Sequence, residues 1–247
     1  MNSKITFFID GGYFIRRVKF YHRKYFPSAT LQPEHVTRIL RKIVSKHRTD
    51  LKRDETYRVF YYDAPPYEGQ MREPVTRPNQ QGLRTRNFKQ DPATIFQKEL
   101  HINLSNERKV ALRMGQLSKA KEWQLNSDVL KSLLSGNKLF SDLVPEDFHL
   151  NMQQKGVDTR LGIDITTVAL NQFSDTMVLV ASDADFVPAA KVARTNGMDV
   201  ILDPLWGNVA SELDHHIDGK KSYDLVSVMK VILEQEPDHQ PTWWVRS

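Results

Sequence analysis

The chain has 247 residues, of which 40% are hydrophobic, and a net charge of +5. This length suits one domain, or one domain with an insertion, and the absence of cysteine excludes disulfides, cysteine nucleophiles and cysteine-bound zinc. No apolar run reaches the roughly 18–20 residues of a membrane span. The segment before the first strand lacks the charged and apolar regions of a signal peptide, so we expect a cytoplasmic protein that does not bind a membrane.

In the first half, residues 33–47 show a helical pattern, with Val36, Ile39 and Ile43 on one stripe. Residues 65–90 are rich in proline, glutamine and arginine, which predicts a long loop. Asp91 followed by Pro92 is typical of a helix start. In this half we predict strands at 4–9, 57–62 and 109–114, and helices at 13–25, 33–47 and 92–101.

The second half begins with a short predicted helix, 127–134, and residues 137–154 that fit no clear pattern. The last third then alternates between helices and strands. In this half we predict strands at 176–181 and 199–202, and helices at 127–134, 156–170 and 189–196. Because alternating strands and helices form parallel sheets, the expected fold class is α/β. Residues 234–247 are expected to form a tail that is either disordered or docked on the domain.

Charge is divided unevenly between the two halves. Residues 1–121 hold 25 Lys/Arg and 11 Asp/Glu, whereas residues 122–247 hold 10 and 19. The basic half could attract a polyanion, and the acidic half supplies the carboxylates that hard divalent cations prefer. The alternative is that the charges form solvated faces that intermix in the fold.

Three aspartates stand where predicted strands end. Asp10 follows the first strand, and Asp183 and Asp185 follow the strand 176–181. Because ligand sites form at the carboxyl ends of parallel strands, we expect these side chains to meet at one edge of the sheet. Clustered carboxylates favour Mg²⁺ or Mn²⁺, which can assist phosphodiester hydrolysis. The alternative for each aspartate alone is a turn former or helix cap.

Four segments carry a recognisable pattern, namely Phe7 to Gly11, Lys155 to Asp164, Asp175 to Pro188 and Ser211 to Asp218. Together they resemble the NYN domain family, and in particular its LabA-like (DUF88) subgroup. The resemblance implies a PIN-like three-layer α/β/α fold with a central, mostly parallel sheet. It also implies a single domain over residues 1–233, with a family-atypical insertion or loop region within about 65–150, and a tail over 234–247.

The resemblance further implies an acidic catalytic site formed by Asp10, Asp158, Asp183 and Asp185, all four of which would bind the metal. Asp164 is a fifth catalytic candidate, although a helix places it about 120° around from Asp158. Tyr13 stands where family members often have asparagine, and it could either stack on a base or lie in the core. We expect RNA contacts from Tyr13, Arg16, Arg17, Lys155, Arg160 and Ser182.

The sequence therefore predicts a divalent-metal-dependent ribonuclease that uses Mg²⁺ or Mn²⁺ and acts on single-stranded RNA. Two alternatives stay open. The first is an RNA- or protein-binding module of the same fold with little or no catalysis, and the second is a phosphatase or DNA nuclease that uses the same metals. Association of several copies of the chain is also left open by the sequence.

Overall fold

In the computed structural model, which describes residues 3–118 and 122–244, six parallel strands form a central sheet in the order β12-β11-β10-β1-β2-β5. The strands are β1 (Lys4–Asp10), β2 (Glu55–Asp63), β3 (Gln70–Arg72), β4 (Thr85–Asn87), β5 (Val110–Met114), β6 (Gln116–Leu117), β7 (Glu122–Leu125), β8 (Phe148–Asn151), β9 (Gln154–Lys155), β10 (Thr176–Val180), β11 (Asp199–Leu202) and β12 (Gly219–Lys220). The helices are α1 (Gly11–Tyr25), α2 (Pro33–Asp50), α3 (Pro92–Asn106), α4 (Ser127–Leu134), α5 (Val157–Leu170), α6 (Val187–Thr195), α7 (Ser211–Asp214) and α8 (Leu225–Leu233).

Helices cover both faces of the sheet, which makes the three-layer α/β/α arrangement. Side chains alternate along β1, so that Phe7 faces one apolar cluster and Phe8 faces the other. The Phe7 cluster includes residues of α1, α2, α3 and α8, and the Phe8 cluster includes residues of α5, α6 and α7. The predicted α/β fold with a parallel sheet is confirmed.

The segments outside the sheet fold into small antiparallel pairs. β3 pairs with β4, β6 with β9, and β7 with β8. The prediction of a continuous loop over 65–90 is therefore wrong, because β3, β4 and a short 3-10 helix lie within it. These strands carry arginine, glutamine and asparagine, so they lack the apolar alternation that sequence analysis recognises.

Two further features complete the fold. Part of the tail is docked, since the indole Nε1 of Trp244 donates to Asp224 (2.6 Å) and Trp243 packs edge-on against Tyr25. In residues 3–118 and 122–244, none of the helices combines the length and apolarity required to cross a bilayer.

Candidate active site at the carboxyl edge of the sheet

Four neighbouring strands have an aspartate at their carboxyl ends, either as the last residue of the strand or in the turn that follows it. Asp63 and Asp10 are the last residues of β2 and β1, and Asp183 and Asp203 follow β10 and β11. These strands are adjacent and parallel, so their carboxyl ends lie at one side of the sheet, which we call the carboxyl edge. Asp10 and Asp183, at the middle of this edge, are the central aspartates, and Asp63 and Asp203 are the flanking aspartates.

Asp10 is placed by the tight turn between β1 and α1. Its Oδ1 accepts a hydrogen bond from the backbone N–H of Tyr13 (2.9 Å), so Asp10 caps α1. Gly11 allows this turn, because a Cβ there would collide with the ring of Tyr61 and the carbonyl of Tyr62. The side chain is thereby held at the carboxyl edge and remains partly exposed.

Asp183 and Asp185 lie in the turn after β10, and Asp158 lies at the start of α5. The Oδ1 of Asp183 accepts from the backbone N–H of Asp185 (3.2 Å), which orders the turn after β10. Asp158 lies in the first turn of α5, a helix that contacts this turn. All three carboxylates are exposed to solvent.

We call the carboxylates of Asp10, Asp158, Asp183 and Asp185 the aspartate cluster, because Asp158 acts electrostatically on Asp10, and Asp183 and Asp185 act on Asp158. Burial is the main cause that raises the pKa of Asp10, and Asp158 and Asp63 raise it further, against the opposing effects of the Tyr13 N–H and Arg16. Burial also raises the pKa of Asp158, with added contributions from Asp185 and Asp183. Carboxylates whose charged forms are disfavoured by their neighbours favour binding of a cation.

The chemistry of the aspartate cluster fits a hard divalent cation, since the donors are all carboxylate oxygens. Within residues 3–118 and 122–244, no group of three or more histidine, aspartate or glutamate side chains is arranged closely enough to hold a metal ion. By their chemical type, these carboxylate donors therefore suit Mg²⁺ or Mn²⁺.

Asp63 differs from the central aspartates because it is saturated with hydrogen bonds. Only 3% of the residue is exposed. Its Oδ1 accepts from the N–H of Ala64 (2.8 Å) and Gln154 Nε2 (3.3 Å), and its Oδ2 accepts from Gln97 Nε2 (3.1 Å) and His101 Nε2 (2.8 Å). Asp63 thus joins β2 to α3 and β9.

Asp203 is held in the same manner at the other flank. Asp203 and its partner His47 are both fully buried, and His47 Nε2 donates to Asp203 Oδ2 at 2.8 Å. Asp203 Oδ1 accepts from the N–H of Leu205 (2.9 Å) and from the hydroxyl of Ser222 (2.6 Å). The carboxylate therefore links α2 to the segments that follow β11 and β12.

Asp164, the fifth catalytic candidate, has two hydrogen-bond partners within the domain. Asp164 Oδ2 accepts from Arg113 Nε and from the hydroxyl of Tyr62, both at 2.8 Å. These contacts tie α5 to β5 and β2, because the helix rotation between Asp158 and Asp164 turns the latter towards the sheet. Asp164 therefore contributes to packing within the domain, and its catalytic role stays a prediction.

The expected RNA contact of Tyr13 is corrected by its burial, whereas that of Arg17 stays a prediction. Only 7% of Tyr13 is exposed, and its hydroxyl donates to the carbonyl of Pro204, so its ring is a core aromatic without a face open to a base. Arg17 donates through Nε (3.1 Å) and Nη2 (2.9 Å) to the carbonyl of Leu205 and lies over the rings of Phe20 and Tyr21. Both side chains hold the loop that follows β11.

The remaining predicted RNA contacts lie around the aspartate cluster. Arg16 is exposed on α1 and close enough to Asp10 to influence its pKa, and Lys155 and Arg160 are exposed beside the start of α5. Ser182 is partly exposed, and its carbonyl accepts from the N–H of Ala210 (3.1 Å). The RNA contacts of these four residues stay predictions.

The flanking aspartates were missed as members of the carboxyl edge. Asp63 and Asp203 each follow a strand that the sequence predicts, so the rule that identified Asp10 and Asp183 would have found them. Their histidine partners carry no such signal, because His101 and His47 lie 38 and 156 residues away along the chain. Only the fold brings these pairs together.

Comparison with known proteins agrees with the resemblance seen in the motifs. The sequence pattern of the NYN domain family matches residues 4–218. An uncharacterized protein of Methanocaldococcus jannaschii is 27% identical over 112 residues, which are 45% of this chain and 44% of that protein. The crystal structure of a protein of unknown function from Vibrio parahaemolyticus has a TM-score of 0.43 and 12% identity, over 90% of this chain and 94% of that one.

Proposed function

The chain belongs to the NYN domain family, and we propose that it is a divalent-metal-dependent ribonuclease that hydrolyses RNA phosphodiester bonds at the aspartate cluster. Membership of this family, within the PIN-like nuclease superfamily, supports a nuclease-type activity. The choice of RNA, of Mg²⁺ or Mn²⁺, and of the LabA-like subgroup is part of the proposal. The matched segment spans less than half of the archaeal relative, so nothing about that whole protein is carried over.

The observation that carries this proposal is the unbalanced charge of the aspartate cluster. Asp10 and Asp183 each accept one backbone hydrogen bond, and Asp158 has Asp183 and Asp185 as electrostatic neighbours. The buried flanking aspartates, in contrast, are saturated by donors from the protein. Carboxylates that the protein leaves without compensating donors are suited to binding a cation.

Each residue of the aspartate cluster has a role in the proposed reaction. A bound Mg²⁺ or Mn²⁺ would supply Lewis-acid stabilisation of the scissile phosphate and a more acidic water. Asp10, Asp183 and Asp185 would hold the cation, and Asp158 would complete the site or position the attacking water. Arg16, Lys155 and Arg160 would contact phosphates of the RNA on either side of the scissile bond.

Cleavage of three substrates under the same conditions tests this proposal. Single-stranded RNA, single-stranded DNA and a phosphomonoester are incubated with the protein after EDTA treatment, and then with Mg²⁺ or Mn²⁺ restored. We expect RNA cleavage that EDTA abolishes and either metal restores. Cleavage that persists in EDTA would contradict the role of the metal. Faster turnover of DNA or the phosphomonoester than of RNA would contradict the assignment of RNA as the substrate.

Salt dependence provides a second readout that does not need cleavage. Because Arg16, Lys155 and Arg160 would contact phosphates, the affinity for RNA should fall steeply as the salt concentration rises. An RNA affinity with this salt dependence, in a protein that cleaves nothing under any condition, would favour the binding-module alternative.

A further inference from the structure

The loop of residues 203–210 presents one exposed tryptophan at the carboxyl edge. Trp206 is 64% exposed, whereas the preceding Pro204 and Leu205 are buried. Trp206 is therefore the large apolar side chain that this loop exposes to solvent. A single ring fits one planar ligand better than it fits the broad apolar patch of a protein interface.

The indole is fixed in orientation. Its Nε1 donates to the carbonyl of Tyr223 (3.0 Å), and its backbone N–H donates to the hydroxyl of Ser222 (3.4 Å). The hydrogen-bonding edge of the ring is thus occupied by the protein. What remains available to a ligand is the apolar part of the ring and its π-face.

The backbone that carries Trp206 is strained. Leu205 and Trp206 have φ angles of 45° and 59°, a left-handed conformation that side chains other than glycine rarely adopt. Two side chains of α1 hold this loop, since the Tyr13 hydroxyl donates to the carbonyl of Pro204 and Arg17 donates to the carbonyl of Leu205. A strained, over-determined backbone that keeps an apolar ring in solvent points to a binding role.

The same contacts connect the loop to the aspartate cluster. Tyr13, which holds Pro204, also donates its backbone N–H to Asp10. At its other end the loop is bonded to the turn that holds Asp183, because Ala210 N–H donates to the carbonyl of Ser182. Trp206 is therefore presented on the rim of the proposed site, at a fixed position relative to it.

We propose that Trp206 is a stacking platform for an unpaired nucleobase of the substrate, and that it selects single-stranded over double-stranded RNA. This inference rests on the proposed function, because it assigns the substrate of that same site. Bases within a duplex are stacked on their neighbours and offer no free face, whereas an unpaired base can lie on an aromatic ring.

Binding of a labelled single-stranded RNA 12-mer and of the matching duplex, measured by fluorescence anisotropy, tests the platform. The measurements use Asp183→Asn protein so that the RNA stays intact. Trp206→Ala should weaken single-strand binding by on the order of 10-fold. Trp206→Phe should retain most of the affinity, because phenylalanine keeps an aromatic face while losing the same Nε1 hydrogen bond.

The comparison of these two variants separates stacking from a structural role. Equal losses in Trp206→Ala and Trp206→Phe would overturn the proposal, since the lost hydrogen bond would then explain both. An unchanged affinity in Trp206→Ala, or a duplex bound as tightly as the single strand, would overturn it as well. Thermal unfolding of each variant shows whether the fold is retained.

Trp243→Ala is the matched control. Trp243 is 48% exposed and packs against Tyr25 at the far end of α1, so its loss should leave RNA affinity unchanged. Failure of this inference is distinguishable from failure of the proposed function. Trp206-dependent binding without any cleavage would uphold the platform alone, and metal-dependent cleavage that is insensitive to Trp206→Ala would uphold the nuclease alone.

Discussion

The central and flanking aspartates occupy equivalent positions in the sheet and have opposite environments. Asp63 and Asp203 are buried, and each is bonded to a histidine and to further donors. Asp10 and Asp183 are partly or fully exposed and accept one backbone N–H each. One structural rule therefore places four carboxylates at one edge, and their partners decide what each can do.

This difference teaches how to separate structural from functional carboxylates at a strand end. A buried carboxylate with a full set of donors stabilises the fold, and its removal leaves those donors unpaired. A carboxylate with few donors and acidic neighbours is destabilised when charged, so its removal costs little stability. Substitutions at the two kinds of position should therefore have opposite effects on stability and activity.

The largest effect, a loss of folding stability, is expected when a flanking aspartate is replaced. Asp203→Ala should lower the free energy of unfolding by about 3 kcal/mol or more, because His47, Ser222 and the N–H of Leu205 all lose a buried acceptor. Chemical denaturation monitored by circular dichroism measures the change. Asp175→Ala is the control, since Asp175 is half exposed and its contact with Arg53 (3.5 Å) should be worth less than about 1 kcal/mol. A loss no larger than that of the control would contradict the structural role of Asp203.

The next effect concerns cleavage at a central aspartate. Asp183→Asn should reduce RNA cleavage by at least ~100-fold, a loss typical of removing a major electrostatic contribution, while the free energy of unfolding stays unchanged or rises. Single-turnover cleavage rates with Mn²⁺ measure it. Asp128→Asn serves as the control, because Asp128 is exposed on α4 and outside the aspartate cluster. Cleavage at the wild-type rate in Asp183→Asn would place the reaction elsewhere.

The smallest effect is a pH-dependent gain in stability at Asp10. Burial raises the pKa of Asp10, so its charged form destabilises the fold, and this destabilisation is complete above the raised pKa. Asp10→Asn removes the charge but keeps a residue able to cap α1. In EDTA, Tm should therefore rise by a few degrees at most near pH 8, and the gain should shrink as the pH falls through the pKa of Asp10. A gain that is constant from pH 8 to pH 4 would contradict this electrostatic origin.

Much of the fold was predictable because its core elements repeat simple patterns. The predicted strand 199–202 and helix 127–134 have the bounds observed for β11 and α4, and β1, β2, β5 and β10 differ from prediction by one or two residues at their ends, whereas β12 and α8 were not predicted. The predicted strands of the central sheet have recognisable apolar patterns because each lies against a core. The hairpin β3-β4 was missed because its stability comes from backbone pairing and from contacts such as Trp123 Nε1 with the carbonyl of Arg72.

The sequence by itself determined the order of most core strands and helices and the aspartates at strand ends, because both are local patterns of a few residues. Only the tertiary structure decided which carboxylates find partners. Asp164 accepts a hydrogen bond from Arg113, Asp63 from His101 and Asp203 from His47. Tyr13 lies in the core and donates to the loop that carries Trp206. Those contacts join residues distant in the chain, so their geometry and burial depend on the packing of the whole domain.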